Sequence, residues 1–108
     1  MNYQHQGLAQ GRWHTFPLSF QMANIGSEVG RAIAWREKGN EEYSQKAFDR
    51  SLELFDLTLS DPKNKHRTKE VARARELWVD YTFADNQYHS NSLFFNTYFL
   101  AFAHISHI

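Results

Sequence analysis

Residues 17–39 read PLSFQMANIGSEVGRAIAWREKG, and the spacing of their apolar side chains decides the fold. Leu18, Met22, Ile25, Val29, Ala32 and Ile33 recur mostly at intervals of three and four, which places them on one face of an amphipathic helix. Pro17 suits the first helical position, where its fixed φ is already helical and its missing N–H is not needed. Gly26 and Gly30 interrupt the pattern, each at a cost of roughly 1 kcal/mol against Ala in a helix interior. Four residues apart, they share a face and let a neighbouring helix approach closely. Gly39, after Lys38, offers a stop, because helices commonly end on a glycine in the left-handed conformation.

Working outward, Asn40 is a good N-cap, and Glu41 and Glu42 follow where the helix dipole favours acids. Phe48, Leu52, Phe55 and Leu59 mark the second apolar stripe, widened by Tyr43, Leu54 and Leu57. Asp61-Pro62 ends that helix, since a residue before proline avoids the helical region. The run 62–67, PKNKHR, reads as a polar turn, after which Thr68 caps a third helix. Val71, Ala74, Leu77 or Trp78, and Tyr81 form its apolar face, with Lys69, Arg73, Glu76 and Asp80 near the opposite side. Ala84-Asp85-Asn86 closes it, and a loop runs through His89. Ser90 or Asn91 caps the fourth helix. There Leu93, Phe94, Phe95, Tyr98, Phe99, Phe102, Ile105 and Ile108 cover most of the circumference, so this helix is expected to be buried or paired.

Four helices with short connections predict an all-α fold, a four-helix up-and-down bundle over residues 17–108. Residues 1–16 are rich in Gln and Gly without periodicity and read as a flexible N-terminal arm, with Trp13 and Phe16 able to tuck onto the body. A chain of 108 residues fits one domain, and an aromatic content of 16% gives it the means to build a sizeable core. The formal net charge is zero, which gives no electrostatic case for nucleic acid and weakly favours association. There is no cysteine, which excludes disulfides, thiolate chemistry and Cys-based zinc sites and fits a cytoplasmic location. The opening MNYQHQGLAQGRWHTF lacks the apolar centre of a signal peptide. The stretch 93–108 is too short and too polar for a membrane span, so no membrane partner is expected.

Candidate chemistry is sparse. His104 and His107 are three apart and share a face, as two ligands of one metal would, but a histidine pair at a helix end also suits the dipole. None of the seven Glu is followed by His at the spacing of a carboxylate-bridged di-metal bundle. Asp80, Asp85 or a buried Glu28, or the Arg73–Arg75 pair, would serve an enzyme only if a pocket gathered them. Lys63, Lys65, His66, Arg67, Lys69, Arg73 and Arg75 form a basic run, but Asp61, Glu70 and Glu76 are interleaved and no aromatic stands among them for stacking on bases. No catalytic, cofactor-binding or metal-binding set is assigned. Asp80, Asp85, Asn86, Tyr88 and His89 cluster in or beside one loop, a common place for binding residues, although Asp and Asn suit a cap and turn equally.

Two local resemblances stand out. Trp35, Gly39-Asn40-Glu41-Glu42-Tyr43, Phe48, Leu52, Phe55 and Asp61-Pro62 make residues 35–62 similar to one tetratricopeptide repeat, with Lys46-Ala47 where that family turns between its helices. Arg75-Glu76-Leu77-Trp78-Val79-Asp80-Tyr81 resembles the Arg-to-His motif of the HEPN domains, four-helix proteins that include ribonucleases. Asp80 holds the His position, so this resemblance implies a catalytically inactive, RNA-associated relative. The Gly-Asn-Glu-Glu-Tyr and Asp85-Asn86-Gln87-Tyr88 patterns are also similar to small uncharacterised bacterial helical proteins, with no activity implied.

The expected function is a non-enzymatic interaction or self-association module, a homodimer or the partner of another protein. Its expected surface is Leu93, Phe94, Phe95, Tyr98, Phe99, Phe102 and Ile105. The alternative is an HEPN-like or antitoxin-like protein that meets RNA through the basic run.

Overall fold

The computed structural model describes residues 10–83 and 91–106. Its elements are α1 (Gln10–Trp13), α2 (Leu18–Glu37), α3 (Glu41–Leu59), a 3-10 helix (Pro62–Arg67), α4 (Thr68–Phe83) and α5 (Ser92–Ser106). There is no strand among the described residues. The fold is an all-α helical bundle, and α2 is its centre. It packs along α3 on one side and along α5 on another, while α4 lies against α3.

The apolar face of 17–39 forms as its spacing predicts. Met22, Ile25, Val29, Ala32 and Ile33 are all buried. Pro17 sits one residue earlier than expected, at the N-cap with φ −66°, and its carbonyl accepts from the Gln21 N–H. At the other end Gly39 has φ +80°, a conformation costly for any residue with a Cβ. Asn40 N–H donates to the Trp35 carbonyl at 2.9 Å and Gly39 N–H to that of Arg36 at 3.0 Å, the paired bonds that close a glycine-ended helix. Asn40 then accepts from the Tyr43 N–H at 3.0 Å and so starts α3. One residue thus ends one helix and begins the next, which fixes the α2–α3 hairpin. Helix α3 runs unbroken through Lys46-Ala47.

The run 62–67 differs from the expected turn. It is a 3-10 helix that continues into α4, capped by Asp61, whose carboxylate accepts from the Lys63 N–H. Thr68 therefore does not cap; its hydroxyl donates to the carbonyls of Asn64 and Lys65. Asn91 caps α5, accepting from the Phe94 N–H at 2.8 Å.

Part of the segment read as a flexible arm is docked. Trp13 is only 1% exposed, and its indole N–H donates to Thr58 Oγ1 at 2.9 Å. The buried Gln21 holds the same segment, donating from its amide to the Trp13 carbonyl at 3.0 Å and to Asp61 at 2.9 Å. Asn64, also buried, donates to Gln21 Oε1 and to the Thr58 carbonyl. Lys63 bridges Asp61 and the His14 carbonyl, and the His14 ring donates to the Leu57 carbonyl. Each buried polar group in this network has a partner, as the desolvation cost of an unpaired one requires. Burial alone would raise the Asp61 carboxyl, but the hydrogen bonds from Lys63 and Gln21 and the lysine charge outweigh it and hold the group below its usual value.

The core is aromatic where the helices cross. Trp78 packs against Phe48 and Phe95 at ring separations of 5.5 and 5.3 Å, and its indole N–H donates to Ser51 Oγ. Phe55 meets Phe99 at 6.3 Å. The close approach expected of the two glycines occurs at one of them. A Cβ on Gly26 would lie 2.4 Å from Phe99 Cβ, whereas nothing stands within 4 Å of one on Gly30.

Candidate interaction surface

The aromatic fourth helix of the sequence is α5, and the structure divides its apolar residues in two. Phe95 and Phe99 are buried against α2, α3 and α4 and belong to the core rather than to an interface. Tyr98 and Phe102 are half-buried against that core. Leu93 is 71% exposed, Leu100 67% and Phe94 42%. Leu100 is not among the residues of the expected surface. Its signal in the sequence was its position seven residues after Leu93, which returns to the same side of a helix after two turns. Asn96, Thr97 and Ala101 are exposed between and beside these leucines. The helix Ser92–Ser106 contains no Asp, Glu, Lys or Arg; His104 is its one titratable side chain besides Tyr98.

Two depressions flank α5. Between α4 and α5 lies a groove of about 140 Å³ lined by Ala74, Leu77, Phe94, Phe95, Tyr98 and Phe99, with Glu70 and Arg73 at its edge. The Phe94 and Tyr98 rings stack at 6.1 Å along it. Burial of Tyr98, reinforced by the nearby Glu70 charge and opposed by Arg67, pushes its hydroxyl above the ordinary phenol value. Between α2 and α5 lies a wider hollow of about 310 Å³ lined by Ala23, Gly26, Ser27, Asn96, Phe99 and Leu100. Phe20 on α2 is also exposed. The absence of a side chain at Gly26 brings the helices together there and deepens the hollow beside them.

Among the described residues the acid–base candidates do not gather at one depression. Glu28 is buried and held by two cations, Arg31 from its own helix and Arg50 Nε from α3 at 2.8 Å. Asp80 is buried. Of Glu28, Asp80, Arg73 and Arg75, only Arg73 borders either depression. Asp85, Asn86, Tyr88 and His89 lie outside the described residues, as do His107 and the side chains of His104 and Ile105. Among the described residues no three His, Asp or Glu side chains are placed to hold a metal ion.

The basic run is largely matched by acids. Arg67 pairs with Glu70 at 2.6 Å, Arg75 with Asp56 at 3.0 Å, Arg73 with Glu76 at 3.6 Å, and Lys63 with Asp61. A phosphate would have to compete with these carboxylates. No described helix is long and apolar enough to cross a membrane. Fold and surface together define a class, a small all-helical bundle whose aromatic last described helix has one side in the core and one side exposed. The chain matches no family model, no curated protein and no solved structure.

Proposed function

We propose that this protein is a non-enzymatic interaction module whose working surface is the outer side of α5 with the two depressions beside it. One observation carries the reading: Leu93 and Leu100, both about two-thirds exposed, stand two turns apart on a helix without Asp, Glu, Lys or Arg. Scattered exposed leucines are ordinary, but two aligned on one helix beside an apolar groove support a contact site. Among the described residues, Glu28 is tied to Arg31 and Arg50, and Arg73 to Glu76, which supports binding over catalysis. The neutral sum of the chain and the paired state of the basic run support a protein partner over RNA.

Hydrogen–deuterium exchange at low and high protein concentration tests this reading. Backbone protection of Ser92–Ser106 is expected to rise with concentration while that of α3 stays constant. Concentration-dependent protection confined to the 63–75 segment would overturn it.

A further inference from the structure

The groove between α4 and α5 combines an apolar inside with one charge of each sign at its edge. Ala74 and Leu77 line it from α4, and Phe94, Phe95, Tyr98 and Phe99 line it from α5. The Phe94 and Tyr98 rings lie within 4° of parallel, and Phe95 meets Phe94 nearly edge-on at 5.0 Å. A flat ring entering beside them finds both faces and edges to pair with, the arrangements that aromatic groups prefer. The space measures about 140 Å³. An apolar cavity of about 150 Å³ takes one benzene ring, so this groove has room for a single ring.

The edge supplies the second half of the recognition. Glu70 and Arg73 both border the groove and stand three residues apart on α4, so a carboxylate and a guanidinium face one mouth. Each has a neighbour on its own helix or just before it, Arg67 for Glu70 at 2.6 Å and Glu76 for Arg73 at 3.6 Å. All four of these side chains are about half exposed. Exposed pairs of this kind contribute little, so a ligand that offers the same charges replaces them at small cost. Both nitrogens of Arg67 that reach Glu70 take Oε2, on the side away from Oε1. An ammonium group suits Glu70 and a carboxylate suits Arg73. A molecule with both groups on one carbon and a single ring attached is an aromatic α-amino acid. We infer that the α4–α5 groove binds a free single-ring aromatic amino acid, its ring between the helices, its ammonium on Glu70 and its carboxylate on Arg73. This goes beyond the protein-contact reading, because a ligand of this size needs only the groove.

Two-dimensional NMR of the full chain titrated with L-phenylalanine tests the assignment. Saturable shifts are expected at the backbone amides of Ala74, Leu77 and residues 94–99. Glu70→Gln and Arg73→Gln should each weaken binding about two- to fivefold, the range that exposed ion pairs give. N-acetyl-L-phenylalanine amide keeps the ring and carries neither charge, so it should bind more weakly than L-phenylalanine by about the product of those two factors. Ala74→Leu fills the groove and should abolish the shifts. Should that variant fail to fold, Phe94→Ala removes one wall at an exposed position and should weaken binding at least about tenfold. Absence of saturable shifts up to the solubility of L-phenylalanine would overturn the assignment. So would equal binding of the amide, binding unchanged by Glu70→Gln and Arg73→Gln, or shifts centred on Ala23 and Leu100 at the other hollow. None of these results touches protein contact at Leu93 and Leu100, which the exchange experiment reads separately.

Discussion

Changing Gly26 to Ala tests how α5 is held to the bundle. The added Cβ would lie 2.4 Å from Phe99 Cβ and 2.8 Å from Phe99 Cγ. Ordinary carbon contacts sit near 3.5–4.0 Å, so the two helices must separate by about 1 Å. The atoms met are the root of the phenylalanine, and no rotamer change moves Cβ away. Overpacking of this kind costs typically 1–3 kcal/mol, against which the helix gains up to ~1 kcal/mol when Ala replaces Gly. The net expectation is a loss of about 1–2 kcal/mol. Gly30 supplies the internal control. It lies one turn along the same helix with nothing within 4 Å of its would-be Cβ, so Gly30→Ala should stabilise by about 0.5–1 kcal/mol. Urea unfolding followed by circular dichroism measures both. The same substitution four residues apart should move the midpoint in opposite directions. Equal stabilisation by the two would refute the close approach of α2 and α5.

Other outcomes follow from the buried contacts. Trp13→Ala should cost about 3–5 kcal/mol in urea unfolding, although the residue sits in a four-residue helix near the start of the chain; a loss under ~1 kcal/mol would mean that α1 is not docked in solution. Asp61 has a folded pKa below its unfolded value of 3.8, so its contribution to stability is complete above that pH and disappears as the pH falls through the lower folded value. Asp61→Asn should accordingly flatten the acid limb of the stability profile and cost about 1–3 kcal/mol at neutral pH; an unchanged acid limb would contradict the Gln21–Asp61–Lys63 network. Ultraviolet difference titration of the native chain against Tyr98→Phe should show Tyr98 ionising above 10, with Glu70→Gln lowering the value; a normal titration would mean that the groove beside it is open to water.

What was legible in the sequence was what local chemistry determines. The spacing of Met22, Ile25, Val29 and Ile33 reports a buried face because helix geometry is fixed. Gly39, Asn40 and Asn91 announce their caps because capping acts over three or four residues. The Gln21–Asp61–Asn64 network was hidden because its members are 40 or more residues apart from Gln21, and each looks like an ordinary surface or turn residue. The sequence lets Trp13 tuck onto the body but does not show where, since its partner Thr58 lies 45 residues away. Gly26 and Gly30 are equivalent by pattern, and only the line along which α5 crosses α2 distinguishes them. That line also decides which aromatics of α5 are core. The sequence shows that the helix is apolar nearly all round, but not that Phe95 and Phe99 turn inward while Leu93 and Leu100 face out.

The proposal that the outer side of α5 is this protein's interaction surface is tested most directly, for a second copy as the occupant, by sedimentation velocity on the full chain and on Leu100→Glu. Leu100 is two-thirds exposed, so the substitution is expected to leave the fold, followed by circular dichroism, intact. From micromolar to hundreds of micromolar, the unmodified chain should move from monomer to dimer, and Leu100→Glu should remain a monomer throughout. A variant that dimerises as well as the unmodified chain, or an unmodified chain that stays monomeric over the whole range, would contradict the account.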